Sequence, residues 1–320
     1  MLNAAQLELL QTFERELDPQ HPDASRVPAR ILGYGEISTV IEIQDARMDG
    51  LAFKRLPLFH DTREVERYRV VFDEYQRLLE QLNIRLPAQN AAVVQNARDV
   101  PVFYIVQAKL NPASIGNRAL HILRDDEILE LVPRVLQELH KAYAHNHAQT
   151  QTQIALDGQI SNWAIENFDD KVLRDSFSLR YVDTSTPLFR VNGAEQLDAE
   201  LFLRSAPSFL AWLLRKLYLA DVVNRYYDFH RVAVDLVANF YKEQRADLVP
   251  AVVKTVNAFF EQDARALGIA PLTEQEVRAY YREDAQIWSL YFNARKLDRW
   301  LRTRVLRQPY PYILPQKIQR

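Results

Sequence analysis

Cysteine is absent from this sequence. Its absence excludes disulfide bonds, thiolate nucleophiles and cysteine-ligated zinc sites. A strong charge of either sign is absent as well, because 40 basic residues face 42 acidic ones and leave a formal net charge of −2. Such a balanced chain lacks the basic footprint of a protein that coats nucleic acid, and we expect no nucleic-acid partner.

Long apolar runs are also missing. Met1–Asp18 has the pattern of an amphipathic helix, without the basic and apolar regions of a signal peptide. The most apolar later stretch, Phe209–Val223, is interrupted by Arg215, Lys216 and Asp221, and it is too short and too charged to cross a bilayer. We therefore expect no membrane span and a cytoplasmic location.

The remaining composition is that of a globular protein, with 48% hydrophobic and 26% charged residues. A chain of 320 residues suits one bilobed or two-domain protein. The pattern changes once, near Gln107–Pro112, where short β-rich runs give way to helices. The sequence thus predicts an α+β protein. Its predicted parts are an N-terminal helical extension (1–26), a small sheet-containing lobe (27–107) and a large helical lobe (108–320).

The predicted elements follow from hydrophobic periodicity and turn residues. Strands are predicted at residues 31–32, 38–44, 51–56, 91–95, 102–108, 153–156, 162–165 and 179–182. Helices are predicted at residues 62–83 and 126–143, and over most of 201–306 with breaks at Pro250 and Gly268–Pro271. Near the C-terminus, Tyr310–Tyr312 is predicted to be an extended tail that packs back onto the body.

Glycine is scarce, with seven residues in the chain, yet Gly33 and Gly35 are separated by one residue between two strand signals. Glycine allows backbone N–H groups to approach phosphate oxygens closely. A strand rather than a helix follows, so this is a strand–glycine loop–strand arrangement and not a dinucleotide-binding turn. A simple hairpin turn is the alternative interpretation.

Lys54 lies in the apolar strand 51–56, where an isolated ammonium group would be costly to bury. One interpretation is a lysine that holds nucleotide phosphates and is itself held by a glutamate of the following helix. Glu74 is the first candidate for that partner, with Glu64 and Glu66 as alternatives. The other interpretation is a lysine that reaches solvent from an exposed face.

Two polar segments follow the helix at 126–143. Asp157 and Asn162 are five residues apart between strand signals, so that a carboxylate could accept a hydroxyl proton and an amide oxygen could bind Mg²⁺. Asp183 ends an apolar strand and could hold a metal ion that bridges phosphates. Polar turns and helix caps are the alternatives for both segments.

In their order and spacing, these segments resemble the protein-kinase-like superfamily, and within it the small-molecule phosphotransferases such as aminoglycoside and choline kinases. The resemblance covers roughly Ile31–Asp183 and implies a bilobed fold with a small antiparallel-sheet N-lobe and a large helical C-lobe. It implies nucleotide-binding roles for Gly33, Gly35, Ser38, Val40, Ala52, Lys54 and Glu74, with Gln107–Leu110, including Gln107 and Lys109, as a hinge that contacts adenine through backbone groups. It implies a catalytic role for Asp157 with Lys54, and metal binding by Asn162 and Asp183.

The resemblance implies an ATP- and Mg²⁺-dependent phosphotransferase that acts on a hydroxyl group of a small molecule. The alternative is a pseudokinase, which is a nucleotide-binding or protein-interaction module without turnover. Ala155 stands where the family usually has histidine, and Thr184-Ser185 stands where it has Phe-Gly, which favours the alternative. The intact set of Lys54, Asp157, Asn162 and Asp183 favours the enzyme.

The segment from Tyr291 onward is strongly basic, with Asp298 as its single acidic residue. The basic residues are Arg295, Lys296, Arg299, Arg302, Arg304, Arg307, Lys317 and Arg320. This segment could contact an anionic substrate, a membrane surface or another anionic partner. A solvated or internally paired basic face is the alternative interpretation.

Overall fold

The computed structural model describes residues 2–35, 37–169, 172–174, 176–207, 210–212 and 219–315. Glu36 of the glycine segment, part of the apolar stretch 209–223, and Lys317 and Arg320 of the basic segment lie outside the described residues. The chain is a mixed α+β protein whose paired strands are antiparallel.

The described helices and strands are as follows. The helices are α1 Ala4–Glu16, α2 Thr62–Gln81, α3 Gly116–Ala119, α4 Asp125–Ala148, α5 Glu200–Leu203, α6 Leu219–Arg225, α7 Phe229–Lys242, α8 Val249–Gln262 and α9 Glu274–Trp300. The strands are β1 Ala29–Tyr34, β2 Thr39–Ile43, β3 Leu51–Leu56, β4 Gln89–Gln95, β5 Pro101–Ala108, β6 Thr152–Ile154, β7 Trp163–Ile165, β8 Leu179–Tyr181, β9 Phe189–Val191 and β10 Ala194–Glu195.

Strands β1 to β5 form one sheet in the order β1-β2-β3-β5-β4. Successive side chains of a strand point to opposite faces, so each face of β3 meets a different helix. Phe53 packs on one face with Leu10 and Phe13 of α1. Leu56 packs on the other face with Phe72 of α2. The sheet is therefore the middle layer between α1 and α2.

A buried ion pair fastens α1 to the sheet. Arg55 of β3 donates two hydrogen bonds to Glu14, at 2.7 and 2.6 Å, and both side chains are almost fully buried. The Tyr104 hydroxyl donates a third bond to the same carboxylate at 2.5 Å. Arg55 also donates to the backbone oxygen of Pro311 at 2.6 Å, so the tail meets the same arginine. The predicted return of this tail to the body is confirmed.

The helical part of the chain has a separate core. Helix α4 packs against α7 and α8, and α9 packs against α7. The buried side chains of this core repeat at helical spacing along each element, and they include Ile128, Leu131, Val135, Leu139, Val232, Leu236, Phe240, Val252, Val256 and Phe260. No helix among the described residues is long and apolar enough to cross a membrane.

Two small sheets lie beside these helices. Strands β7 and β8 form a hairpin, and β6, β9 and β10 form a three-stranded sheet in the order β10-β9-β6. The predicted strands near 153–156, 162–165 and 179–182 correspond to β6, β7 and β8. The sequence interpretation missed β9 and β10, whose turn has Asn192 at φ 50° and Gly193 at φ 79°.

Candidate active site

The glycine segment is the tight connection between β1 and β2. Gly33 pairs with Val40 and the Gly35 N–H donates to the Ser38 oxygen at 2.9 Å, which closes the turn. A Cβ atom at Gly35 would lie 2.8 Å from Ser38 Oγ, so a larger residue there would require the serine hydroxyl to rotate away. At the turn, Ile37 is buried. The segment is thus a closed hairpin whose apolar tip packs inward.

Lys54 reaches from β3 to the loop that follows β8. Its Nζ donates to Asp183 Oδ1 at 2.8 Å, and it lies 3.4 Å from Ser185 Oγ. Ser185 Oγ also donates to Asp183 Oδ1 at 2.7 Å. Burial raises the pKa of Asp183, but the Lys54 charge and the bonds from Lys54 and Ser185 outweigh it, so the pKa lies below its usual value. Asp183 is therefore an anion beside a buried lysine.

The β7–β8 hairpin brings the other polar candidates to the same place. Asn162 directly precedes β7, and its backbone oxygen accepts a bond from the Val182 N–H at 2.8 Å. Asp183 follows Val182, so antiparallel pairing places Asn162 and Asp183 at one end of the hairpin. The Asp157 N–H donates to the Tyr181 hydroxyl at 3.2 Å, and Asn162 Nδ2 donates to the Asp157 backbone oxygen at 3.4 Å.

The chemistry of these groups fits a weakly held divalent cation. Asp183 Oδ2 and Asn162 Oδ1 carry no hydrogen bond from the described residues, whereas Asp183 Oδ1 accepts three. Mg²⁺ is commonly bound by one or two protein oxygens together with water and substrate phosphates. Among the described residues no group of three or more His, Cys, Asp or Glu side chains forms an all-protein metal cage.

Glu74 does not lie with Lys54. Its carboxylate accepts bonds from Arg77, at 2.8 and 2.5 Å, on the outer side of α2. The alternative Glu64 pairs with Arg204 at 2.5 Å. In this structure the partner of Lys54 is Asp183, which lies 129 residues further along the chain.

The predicted hinge is only partly available to a ligand. The N–H groups of Ala108 and Lys109 donate to the backbone oxygens of Ala88 and Gly50. The Lys109 ammonium forms an ion pair with Glu42. These two N–H groups and the Lys109 side chain are thus engaged within the protein, and adenine contact by the backbone of residues 107–110 stays a prediction.

Gln107 is the exception in the hinge. Its Oε1 is buried and has no hydrogen-bond partner among the described residues. Gln107 of β5 pairs with Ala52 of β3, and Lys54 lies two residues after Ala52 on β3. All three side chains therefore share one face of the sheet. Val40 pairs with Lys54 and extends this face. A buried, unpaired acceptor oxygen on the Lys54 face is a position where a ligand N–H could bind.

Several positioning residues escaped the sequence interpretation. Tyr68 and Tyr75 of α2 donate hydrogen bonds to the backbone oxygens of Ser185 and Ala155, both at 2.7 Å. Burial raises the pKa of both phenols well above the usual value, so they remain hydrogen-bond donors. Thr184 donates to Gln89 at 3.1 Å. The sequence signal for these two residues was their spacing of seven, which places both tyrosines on the inward face of α2.

Gly116 of α3 permits close approach to the loop before β7. A Cβ atom there would lie 2.2 Å from the Ile160 backbone oxygen, which is closer than any real contact. Because Ile160 precedes Asn162 by two residues, the absence of a side chain at Gly116 helps to determine the position of the loop that carries Asn162.

Two cavities lie away from these residues. One, of about 600 Å³, is lined by residues of α4, α7 and the segment before α9, including Tyr143, His147 and His230. The other, of about 840 Å³, lies between α1, β3 and the C-terminal tail, beside Arg55 and Tyr310. Neither is lined by Lys54 or Asp183.

Comparison with known proteins gives a family. Residues 20–299 match the profile of DUF6206, described as a family of unknown function. No curated protein matches the chain. The solved structure of WaaP in complex with acyl carrier protein is similar to this chain at 12% sequence identity and a TM-score of 0.31, over 75% of this chain and 89% of that one. That likeness is too distant to bear on activity.

Proposed function

The chain belongs to DUF6206, and we propose from its own residues that it is a kinase-like phosphotransferase, dependent on ATP and Mg²⁺, that acts on a hydroxyl group of a small molecule. One observation carries the proposal. Lys54 of the sheet and Asp183 of the β8 loop are bonded to each other, and Asn162 and Asp157 lie at the same end of the β7–β8 hairpin. The Lys54 ammonium, the Asp157 carboxylate and two oxygens that carry no hydrogen bond from the described residues, Asn162 Oδ1 and Asp183 Oδ2, thus belong to neighbouring segments.

In this proposal the sheet supplies the nucleotide site. The hairpin with Gly33, Gly35 and Ser38 covers the phosphates, and Lys54 neutralises them. Val40, Ala52 and the unpaired Gln107 oxygen lie on the same face and contact the base. The small lobe (27–107) and the helical lobe (108–320) would then close on the nucleotide from two sides, with the extension 1–26 packed on the small lobe.

Asn162 Oδ1 and Asp183 Oδ2 would hold Mg²⁺, which offsets phosphate charge when it is bound. Asp157 would accept the proton of the acceptor hydroxyl. The bond between the terminal phosphorus and its bridging oxygen breaks, a bond from that phosphorus to the acceptor oxygen forms, and ADP leaves. Positioning and charge compensation supply most of the rate in this class of reaction.

The test is thermal unfolding with and without ATP and Mg²⁺, on the wild type, Lys54→Ala and Lys254→Ala. Lys254 is an exposed lysine of α8 and serves as the matched control. A ligand that binds only the folded state raises stability by about 2.7 kcal/mol at a hundredfold excess over Kd. We expect a Mg²⁺-dependent increase in Tm for the wild type and the control, and its loss in Lys54→Ala.

Asp157→Asn then separates binding from transfer. We expect this variant to keep the nucleotide-dependent shift and to lose ADP formation in a screen of hydroxyl acceptors, by roughly 10²-fold or more. A wild type that binds ATP without forming ADP with any acceptor would support the pseudokinase instead. Absence of a shift with every nucleotide would contradict the whole assignment.

A further inference from the structure

Apolar side chains are exposed along the end of α9 and the turn after it. Six of them have between 40% and 59% of their surface exposed, namely Leu290, Leu297, Trp300, Leu301, Val305 and Leu306. We call these six the C-terminal apolar stripe. Single exposed apolar residues are ordinary in proteins, whereas a contiguous group marks an interaction surface.

Five of the six side chains lie close together, between Leu297 and Leu306. Leu290, Leu297 and Leu301 are seven and four residues apart, which places them on one side of a helix. Trp300 ends α9 and Leu301–Val305 continue it as a wider helical turn. The exposed residues from Leu297 to Leu306 therefore follow one another along the end of α9 and the turn after it.

Two contacts fix α9 to the body. Phe292 packs with Tyr310 and Leu314 of the returning tail. Ala294, which lies on the same side of α9 as Leu290 and Leu297, packs with Ala206 and Leu210 and separates Leu290 from the rest of the stripe. The stripe therefore keeps its orientation while its own side chains remain exposed.

Positive charge surrounds the stripe. Residues 296–307 contain five basic residues and one acidic residue, in a chain whose formal net charge is −2. The acidic residue, Asp298, accepts a bond from Arg302 at 2.9 Å. Arg304 and Arg307 are exposed. The basic charge predicted from the sequence is thus concentrated beside exposed leucine and tryptophan.

We propose that the C-terminal apolar stripe binds the surface of an anionic lipid bilayer. Apolar side chains would enter the boundary of the acyl chains while the flanking arginines and Lys296 contact lipid phosphates. Trp300 suits this boundary, because its ring is apolar and its N–H is polar. A helix that lies on the bilayer needs no membrane-spanning length. This proposal is independent of the phosphotransferase function.

The combination of positive charge and apolar surface favours an anionic bilayer over other binding partners. A second copy seated on the stripe would bring two arginine-rich segments together, and like charges in contact are unfavourable. A nucleic acid would satisfy the arginines and leave the leucines exposed to water. A bilayer with anionic headgroups satisfies both parts of the surface.

The test is co-sedimentation of the full chain with phosphatidylcholine vesicles, with and without phosphatidylglycerol. Leu297→Gln/Leu301→Gln removes apolar surface, and Arg304→Gln/Arg307→Gln removes charge. Arg67→Gln/Val70→Gln is the matched control, because both residues are exposed on α2 and Val70 is 68% exposed. Circular dichroism verifies that each variant is folded. The two changed leucines and the two changed arginines are all exposed, so folding should tolerate the changes.

We expect the wild type and the control to bind only vesicles that contain phosphatidylglycerol. Each stripe variant should bind roughly tenfold or more weakly. The proposal would be overturned if the wild type did not bind vesicles that contain phosphatidylglycerol, or if the stripe variants bound them as well as the control does. Self-association in sedimentation velocity that is lost in Leu297→Gln/Leu301→Gln, without vesicle binding, would assign the surface to a second copy instead.

Discussion

Glu64 shows how one carboxylate joins the first turn of α2 to the segment after α5. It accepts bonds from Arg204 at 2.5 and 3.0 Å and from the His60 N–H at 2.8 Å. The Arg204 bond is the main cause that lowers the pKa of Glu64 from 4.5 to about 2. A carboxyl group whose pKa falls on folding stabilises the folded state above its unfolded pKa, and this contribution is lost as the pH falls through the folded pKa.

We expect Glu64→Gln to lower the free energy of unfolding at neutral pH by about 1–2 kcal/mol, a value reduced for the proximity of solvent. The loss should shrink as the pH falls from 4.5 towards 2, because the wild-type carboxylate is protonated in that window. Urea unfolding at several pH values measures both effects.

Glu74→Gln is the control for that experiment, because Glu74 lies on the same helix in a more exposed pair with Arg77. An exposed pair of this kind contributes about 0.5 kcal/mol or less. Equal losses for the two variants would mean that Arg204 does not hold Glu64 in solution.

The sequence itself contains an argument against Glu74 as the partner of Lys54. Tyr68, Phe72 and Tyr75 are buried and mark the inward face of α2. Glu74 precedes Tyr75 by one residue, which is about 100° around a helix, so it points away from the sheet. Asp183 was predicted as a metal ligand, but its bond to Lys54 was not, because sequence spacing says nothing about contacts across 129 residues.

Among the elements, β2 to β5 were predicted closely because each is an apolar or β-branched run, whereas the sequence predicted only Ile31 and Leu32 of β1. The β9–β10 hairpin was missed although Asn192-Gly193 is a strong hairpin signal. Its strands have three and two residues, and such short runs show no periodicity. The strand order of the five-stranded sheet, β1-β2-β3-β5-β4, could not be predicted from the sequence either, since it depends on which strands pair after α2.

Helix α1 depends on the ion pair between Glu14 and Arg55. We expect Arg55→Met to lower the free energy of unfolding by about 3–5 kcal/mol, because it leaves the Glu14 charge buried without its partner. The double variant Glu14→Leu/Arg55→Met should lose less, since it removes both charges. Chemical denaturation of the three proteins gives these values.

Arg26→Met serves as the control for α1, because Arg26 pairs with Glu16 while 78% exposed. It should change the stability by less than about 1 kcal/mol. A double variant that is less stable than Arg55→Met would contradict this prediction, because it would show that Glu14 stabilises the fold without Arg55, through its bond from Tyr104.

At the scale of the whole molecule, both ends of the described chain meet on one face of the five-stranded sheet. Leu10 of α1 and Ile313 of the tail belong to the same buried cluster. The tail also meets the helical part, since the Tyr312 hydroxyl donates to the Arg204 oxygen at 3.0 Å. The aromatic residues predicted that the tail would pack back. They could not predict its place, because Arg55 and Pro311 are 256 residues apart.

The tail should therefore contribute to stability at both of its contacts. We expect Ile313→Ala to cost about 2–4 kcal/mol, because Ile313 is 6% exposed and the truncation leaves a cavity against α1. Ile122→Ala is the control, since Ile122 is 39% exposed and should cost less than about 1 kcal/mol. Hydrogen exchange of the backbone amides then tests the mechanism. If the amides of α1 exchange faster in Ile313→Ala than in the wild type, while those of α8 are unchanged, the tail holds α1 on the sheet. If the loss of stability comes without faster exchange in α1, the tail acts through its Arg204 contact instead, and Leu10, Phe13 and Glu14 hold α1 without the tail.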